Sequence, residues 1–218
     1  WERLFDDTIL MGSECEIWKC MGVEKRMADR CNTIRLYSFQ TDVVYQVLKR
    51  DGVCYSKEEY VRKKYKESAK VFINAYGWFV KEAQHIVPKP EGAEYPYWAF
   101  TDLYNVDQTG DGHVLTLDVP IGEALLFDMF DWTKIMQMHY IGENESEESA
   151  FSEELKNMGM SEFQIMTSNF YPEQKARIQE SWKRLFGHQQ AIEAGDNSGV
   201  HSVQAGLWCI KDEWIVKE

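Results

Sequence analysis

The chain has no stretch of about 18 consecutive apolar residues, so no membrane-spanning helix is expected. Its first residues show no short basic stretch running into an apolar one, and no signal peptide is expected. Cysteine is sparse and odd in number: Cys15, Cys20, Cys31, Cys54 and Cys209, with no Cys-x-x-Cys pair. That spacing argues against a disulfide framework or a zinc clip and fits reduced thiols in a cytoplasm. Basic charge is short as well, with 24 Lys and Arg against 36 Asp and Glu and a net charge of −12. An extended nucleic-acid surface, which needs clustered Lys and Arg, is not expected. The acidity reads as solubility. There is no Gly-x-x-x-x-Gly-Lys, no Gly-x-Gly-x-x-Gly opening a helix and no Gly-x-Ser-x-Gly, which excludes the common phosphate loops and the nucleophile elbow. No two of the five histidines lie four apart, which excludes a zinc-protease helix.

What remains is a globular composition, 44% apolar and 14% aromatic over 218 residues, enough for one sizeable core. Residues 1–26 are loosely patterned and read as an extension, with Met27 a candidate natural start; residues 27–218 read as a single domain. Thr33–Phe39 alternates as a strand, and a helix capped at Thr41 or Asp42 follows, carrying Val44, Val47 and Leu48 inward and closed by Gly52. Val53–Tyr55 is a short strand. Ser56-Lys57-Glu58-Glu59 reads as a capping box opening one long helix to about Ile86, with Val61, Tyr65, Phe72, Tyr76, Phe79, Ala83 and Ile86 on its apolar face before Pro88 and Pro90. Val114–Val119 and Glu123–Phe127 read as strands, and Asp128 or Asp131 as the cap of a helix bearing Trp132, Ile135 and Met136. The acidic run 142–149 reads as a mobile loop, 151–157 as a short helix, 173–186 as a longer one and Val203–Ile210 as a last strand. Interleaved irregularly, these elements predict an α+β fold, a single domain with a mixed or mostly antiparallel sheet packed with several helices.

The richest segment is Tyr95-Pro96-Tyr97-Trp98-Ala99-Phe100, four rings in six residues. So much apolar area is expected to be a core plug or the wall of a pocket. Two polar residues stand out in apolar strands. Arg35 sits among Ile34, Leu36, Tyr37 and Phe39, and Gln204 lies between Val203 and Leu207. Burying either without a partner is unfavourable: Arg35 points to solvent or into a polar cleft, and Gln204 reads as an edge-strand residue or as part of a site. Gln40 follows the first strand, at a turn or a site. Asp128 and Asp131 are a carboxylate pair suited to capping or to binding a metal.

In order along the chain stand Leu36-Tyr37-Ser38-Phe39-Gln40 with Gly52, Ala75-Tyr76-Gly77-Trp78, Tyr95–Phe100, Leu125–Trp132 as Leu-Leu-x-Asp-x-x-x-Trp, Trp182–Phe186 as Trp-x-x-x-Phe, and Gln204-Ala205 with Trp208. Together they resemble DUF3841, a family of bacterial and phage proteins of unknown function, over about Ile34 to Val216. Phe100 and Phe127 depart from that pattern, which has Trp and Ser there. The resemblance implies no activity.

Three functions are compatible with this reading. The first is binding of a nucleotide-like small molecule in a cleft walled by Trp78, Tyr95, Tyr97, Trp98 and Trp132, with polar contacts from Arg35, Gln40 and Asp128. The second rests on a loose resemblance to the ADP-ribosyltransferase fold, carried by a first strand bearing Arg and by Gly52 to Ser56 as Gly-x-x-Tyr-Ser. It implies that Arg35 contacts NAD, that Tyr55 or Tyr76 stacks on the nicotinamide, and that Gln204 begins a Gln-x-Glu strand in which Gly206 replaces the glutamate. In the third, the rings are simple core and the protein acts through another surface.

Overall fold

The computed structural model describes residues 32–66 and 69–217, with side chains at 64, 65 and 69–71 left aside. The extension over 1–26, the candidate start at Met27, the thiols of Cys15, Cys20 and Cys31 and the inward face at Tyr65 lie outside what is described. The fold is α+β. Five strands, β1 (Thr33–Gln40), β3 (Tyr97–Phe100), β4 (His113–Pro120), β5 (Ala124–Asp128) and β6 (Val203–Leu207), form one sheet in the order β4-β1-β3-β6-β5. Every pairing in it is antiparallel. A ribbon of β2 (Val53–Tyr55) and β7 (Cys209–Lys211) forms a second, two-stranded sheet.

Each face of the main sheet has its own core. Leu36, Leu115, Leu117, Val119, Ala205, Leu207 and Leu126 point to one side. They pack with Leu48 of α1 (Asp42–Asp51), with Cys54 and Ile210 of the ribbon and with Trp214. Gly52 closes α1 in the left-handed conformation (φ 76°), donating its N–H to the Leu48 carbonyl, as a glycine at that position favours. The other side holds a ring-rich core. Tyr76, Trp78 and Phe79 come from α3 (Ala69–Ala83), and Trp132 and Ile135 from α4 (Met129–Met136). Phe127, Trp182 and Leu185 complete it. Strand β5 is an edge, and Gln189 blocks it: its side chain accepts from the Leu126 N–H at 2.6 Å and donates to the Ala124 carbonyl at 3.1 Å.

The structure corrects the sequence reading at several points. The long helix is two, α2 (Glu58–Tyr65) and α3, separated at Lys66, whose φ of 49° is incompatible with helix continuation. The Lys66-Glu67-Ser68 run puts only polar residues there, so the apolar face is interrupted. Ser56 is no cap: it is buried in a bridge to Tyr95, and the Glu58 N–H donates instead to the Glu94 carboxylate at 2.8 Å. Run 142–149 is not a loop throughout. Asn144 caps α5 (Glu145–Asn157), and Glu145, Glu147 and Glu148 occupy its first turn, where the helix dipole favours negative charge. Residues 173–186 divide into α7 (Pro172–Ser181) and a tighter turn, Trp182–His188, followed by α8 (Gln189–Glu193). A short helix, α6 (Glu162–Thr167), precedes them. The last strand breaks at Trp208, between β6 and β7. Among the described residues, no helix is long and apolar enough to cross a membrane.

Candidate functional site

Residues directly opposite in an antiparallel ladder share a face. Tyr37 pairs with Phe100, Phe100 with Gln204, and Gln204 with Phe127. One row therefore crosses the ring-rich side of the sheet from β1 to β5. The next row carries Phe39, Trp98, Gly206 and Leu125, by the same register. Helices α3 and α4 cover the β5 side of these rows: the Phe79 ring lies 5.2 Å from Trp98 and 5.6 Å from Phe127, and Trp132 lies 4.8 Å from Trp98. The β1–β4 side keeps solvent contact, with Tyr37, Phe39 and Phe100 half-buried and Val114 37% exposed.

Gln204 lies where the covered half meets the open half. It is 3% exposed, between Phe100 and Phe127. Its carboxamide takes no hydrogen bond among the described residues. No described side-chain nitrogen or oxygen is both sealed from solvent and unbonded, so this amide still reaches water. A buried amide without a partner costs about 1–3 kcal/mol. Gln204 thus retains a donor and an acceptor that the fold does not use.

The other predicted residues fall in several places. Tyr76, Trp78 and Tyr95 are buried in the ring cluster as core. Trp98 is half-buried, its indole N–H donating to the Tyr76 hydroxyl at 2.7 Å. The Tyr95 hydroxyl donates to Glu58 at 3.2 Å, and burial together with that carboxylate pushes its pKa up to about 12. Tyr55 is half-buried between the two cores, with Gly92 against its ring. Gln40 points to the opposite side of the sheet, where its amide donates to Ser38, which in turn donates to the Trp98 carbonyl. Arg35 shares the face of Trp98 but lies at the other end of β1, half-exposed and doubly bonded to Asp118 at 2.5 and 3.1 Å. Arg35, Gln40 and Gln204 therefore do not converge.

Asp128 ends β5 and caps α4, accepting the Phe130 N–H at 2.9 Å. Its other oxygen accepts the His201 N–H at 2.9 Å and meets His201 Nδ1 at 2.8 Å. Burial alone would raise this carboxyl; the two N–H donors and the imidazole outweigh it and hold it below the usual range. With the proton on Nδ1, the exposed imidazole presents Nε2 to solvent beside the Phe130 ring, 5.1 Å away. Asp131, mostly buried, is pushed up by that burial, with Lys134 opposing and Asp128 adding to the shift. Among the described residues, no group of three His, Cys, Asp or Glu side chains can hold a metal. His201 carries no local motif: it meets Asp128 across 73 residues, a contact that only the β5–β6 register creates.

The model of the Domain of unknown function (DUF3841) matches residues 35–216. The chain belongs to the DUF3841 family. No curated protein and no solved structure matches the chain. Placed on the fold, the DUF3841-like segments converge. Ala75–Trp78 lies on α3, Tyr97–Phe100 forms β3, Leu125–Trp132 spans β5 and α4, and Trp182–Phe186 follows α7. All of them deliver side chains to the cluster around Phe79. Gly206 is part of the same packing: a Cβ there would stand 3.0 Å from the Phe79 ring. Gly206, which the looser resemblance set in place of a glutamate, is thus part of the core.

Proposed function

We propose that this DUF3841 member is a binding domain for a small, planar, nucleotide-like molecule held against the open part of its sheet. The carrying observation is Gln204, an almost fully buried carboxamide without a hydrogen-bond partner among the described residues, set between two phenylalanines. A carboxamide offers one acceptor and two donors in a plane, the pattern that reads a base edge in pairs. Phe100, Trp98 and Tyr37 supply apolar faces alongside, and base–aromatic stacking is worth about 1–3 kcal/mol per base. Arg35, engaged with Asp118, borders this surface and does not reach its centre. The reading is of binding without group transfer, since Gly206 leaves no carboxylate beside Gln204 and packs under Phe79. A cytoplasmic setting accompanies it, supported by Cys54 and Cys209, which are both unpaired and buried.

The test is thermal shift with nucleobases, nucleosides, nucleotides and NAD, followed by Gln204→Leu. A ligand at 100 times its Kd adds about 2.7 kcal/mol to the wild type. The Leu variant is expected to fold with equal or greater stability and to lose that response. If no base-bearing compound shifts the wild-type melting temperature at millimolar concentration, or if Gln204→Leu responds as the wild type does, the proposal is wrong.

A further inference from the structure

The break at Trp208 creates a second feature, away from Gln204. Strand β6 belongs to the main sheet and β7 to the ribbon. Between them the Trp208 side chain turns under the end of α3, where its indole N–H donates to the Val87 carbonyl at 2.8 Å. Beside it lies a cavity of about 250 Å³ walled by Val87, Pro88, Pro90, Trp208 and Trp214, with Cys209 and Glu123 completing the lining and Gly122 also on it. Both indoles are buried, so the walls are fixed by packing.

The polar groups around this cavity are nearly all engaged. Glu123 holds the Lys211 ammonium with both oxygens, at 2.8 and 2.7 Å. That ammonium lies 4.8 Å from the centre of the Trp214 ring, so the face best suited to a cation already has one. Burial pushes the Cys209 thiol up to about 11, which keeps it neutral. The Trp208 N–H is occupied by Val87. The Trp214 N–H has no protein partner among the described residues, and it reaches solvent because no sealed, unbonded nitrogen is present. A hydrocarbon-lined cavity of roughly 150 Å³ holds benzene. A space of about 250 Å³ takes one ring more.

We infer that the cavity between Trp208 and Trp214 is a binding site for a small neutral aromatic molecule of one or two rings, unrelated to the ligand read by Gln204. The indoles and prolines supply its apolar contacts, and the Glu123–Lys211 pair, closed on itself, offers no free counter-charge to offset the desolvation of a charged ring. The Trp214 N–H is available to one acceptor on the ligand.

Quinoline, neutral at pH 8 and carrying one ring nitrogen, is the test ligand; N-methylquinolinium has the same shape with a fixed positive charge. The intact chain is titrated with each while thermal shift is followed, and Cys209 modification by methyl methanethiosulfonate is measured by peptide mass spectrometry. Cys54, buried on Tyr97 and not part of this lining, is the internal reference. Quinoline is expected to raise the melting temperature saturably and to slow Cys209 modification relative to Cys54. The charged analogue is expected to bind at least 10-fold more weakly. Gly122 borders the cavity, a Cβ there meets nothing within 4 Å, and its φ needs no glycine, so Gly122→Leu adds bulk at the lining without backbone strain. That variant is expected to fold, to keep any response at Gln204 and to bind quinoline at least 10-fold more weakly, whereas Gly122→Ala binds it as the wild type does. Absence of saturable quinoline binding, equal binding of N-methylquinolinium, or an unchanged response in Gly122→Leu would each overturn the inference.

Discussion

One side of the five-stranded sheet is sealed mainly by leucines and valines, with Tyr97 and Trp214 among them, the other by tryptophans, tyrosines and phenylalanines. Leu36, Leu48, Leu115, Leu117, Leu126 and Leu207 have no polar atoms in their side chains, so their core closes with Ser38 as its buried polar neighbour on β1. The ring-rich side brings polar atoms with it, because an indole or phenol buries a donor along with its apolar area. Trp98 donates to Tyr76, Trp182 to the His139 carbonyl and Trp208 to the Val87 carbonyl. Rings also stop at fixed edges, and beyond those edges this side stays open over β1 and β4. An aliphatic core closes by area alone; an aromatic one needs its donors placed, and where its cover ends it leaves a boundary at which Gln204 sits.

Deleting the ring that organises the aromatic side should give the largest effect. Phe79 is fully buried and touches Trp98, Phe127, Trp132, Phe186 and Trp208. Phe79→Ala is expected to cost about 3–5 kcal/mol by urea denaturation and to shift tryptophan emission to the red. Leu117→Ala, on the aliphatic side, is expected to cost about 2–5 kcal/mol with much less change in emission. Equal emission changes would dissolve the distinction. A smaller effect follows at Gly206, where a methyl would press on Phe79 from 3.0 Å. Gly206→Ala is expected to destabilise by about 1–3 kcal/mol through overpacking. Gly77→Ala, exposed on α3 with nothing within 4 Å, is expected to stabilise by about 0.5–1 kcal/mol.

These contrasts also show which features were readable in the sequence. Strands with one face toward each environment alternate visibly, and β1, β2 and β4 lie within a residue or so of their expected ends. The stop at Gly52 follows from local chemistry alone. Strand β3 hides because it is four residues long, follows a proline and is flanked by strands on both sides, so its rings read as a plug or a pocket wall. The start of α5 hides because carboxylates that repel one another in a loop are stabilised in a helix's first turn, and the Asn144 cap settles which applies. Helix α6 opens on a Ser161–Gln164 capping box, a signal carried by four residues alone. For the candidate site, Gln204 stands out in sequence as polar among apolar neighbours. That Phe100 and Phe127 flank it follows only from the strand register, as does the Asp128–His201 contact.

Alkaline pH acts on both sides, and on the aromatic one through the phenol at the rim of its core. Tyr95 titrates near 10 in an unfolded chain and at about 12 in the fold, raised by burial and by Glu58. A raised folded pKa means that its stabilising contribution is complete below pH 10 and is lost as pH rises toward 12. Tyr97 and Cys209 are raised by burial too and add to the same loss. Tyr95→Phe is therefore expected to reduce the fall in stability between pH 10 and 12 while leaving part of it, as read from urea midpoints at fixed ionic strength. An unchanged slope would mean that the hydroxyl is solvated.

The smallest effect is expected on the open half, at Arg35 and Asp118. The pair is bidentate, which favours it, but both side chains remain about half in water, where solvent and salt screen the attraction. A double-mutant cycle through Arg35→Ala and Asp118→Ala is expected to give a coupling of about 0.2–1 kcal/mol. Raising the salt to about 1 M, where the Debye length is roughly 3 Å, should diminish it. A coupling well above that range that survives salt would require the pair to be shielded from water. The β1–β4 half would then be covered, and the boundary at Gln204 would lose its meaning. A small, salt-sensitive coupling leaves that half exposed, with the nearest guanidinium contributing little to the fold.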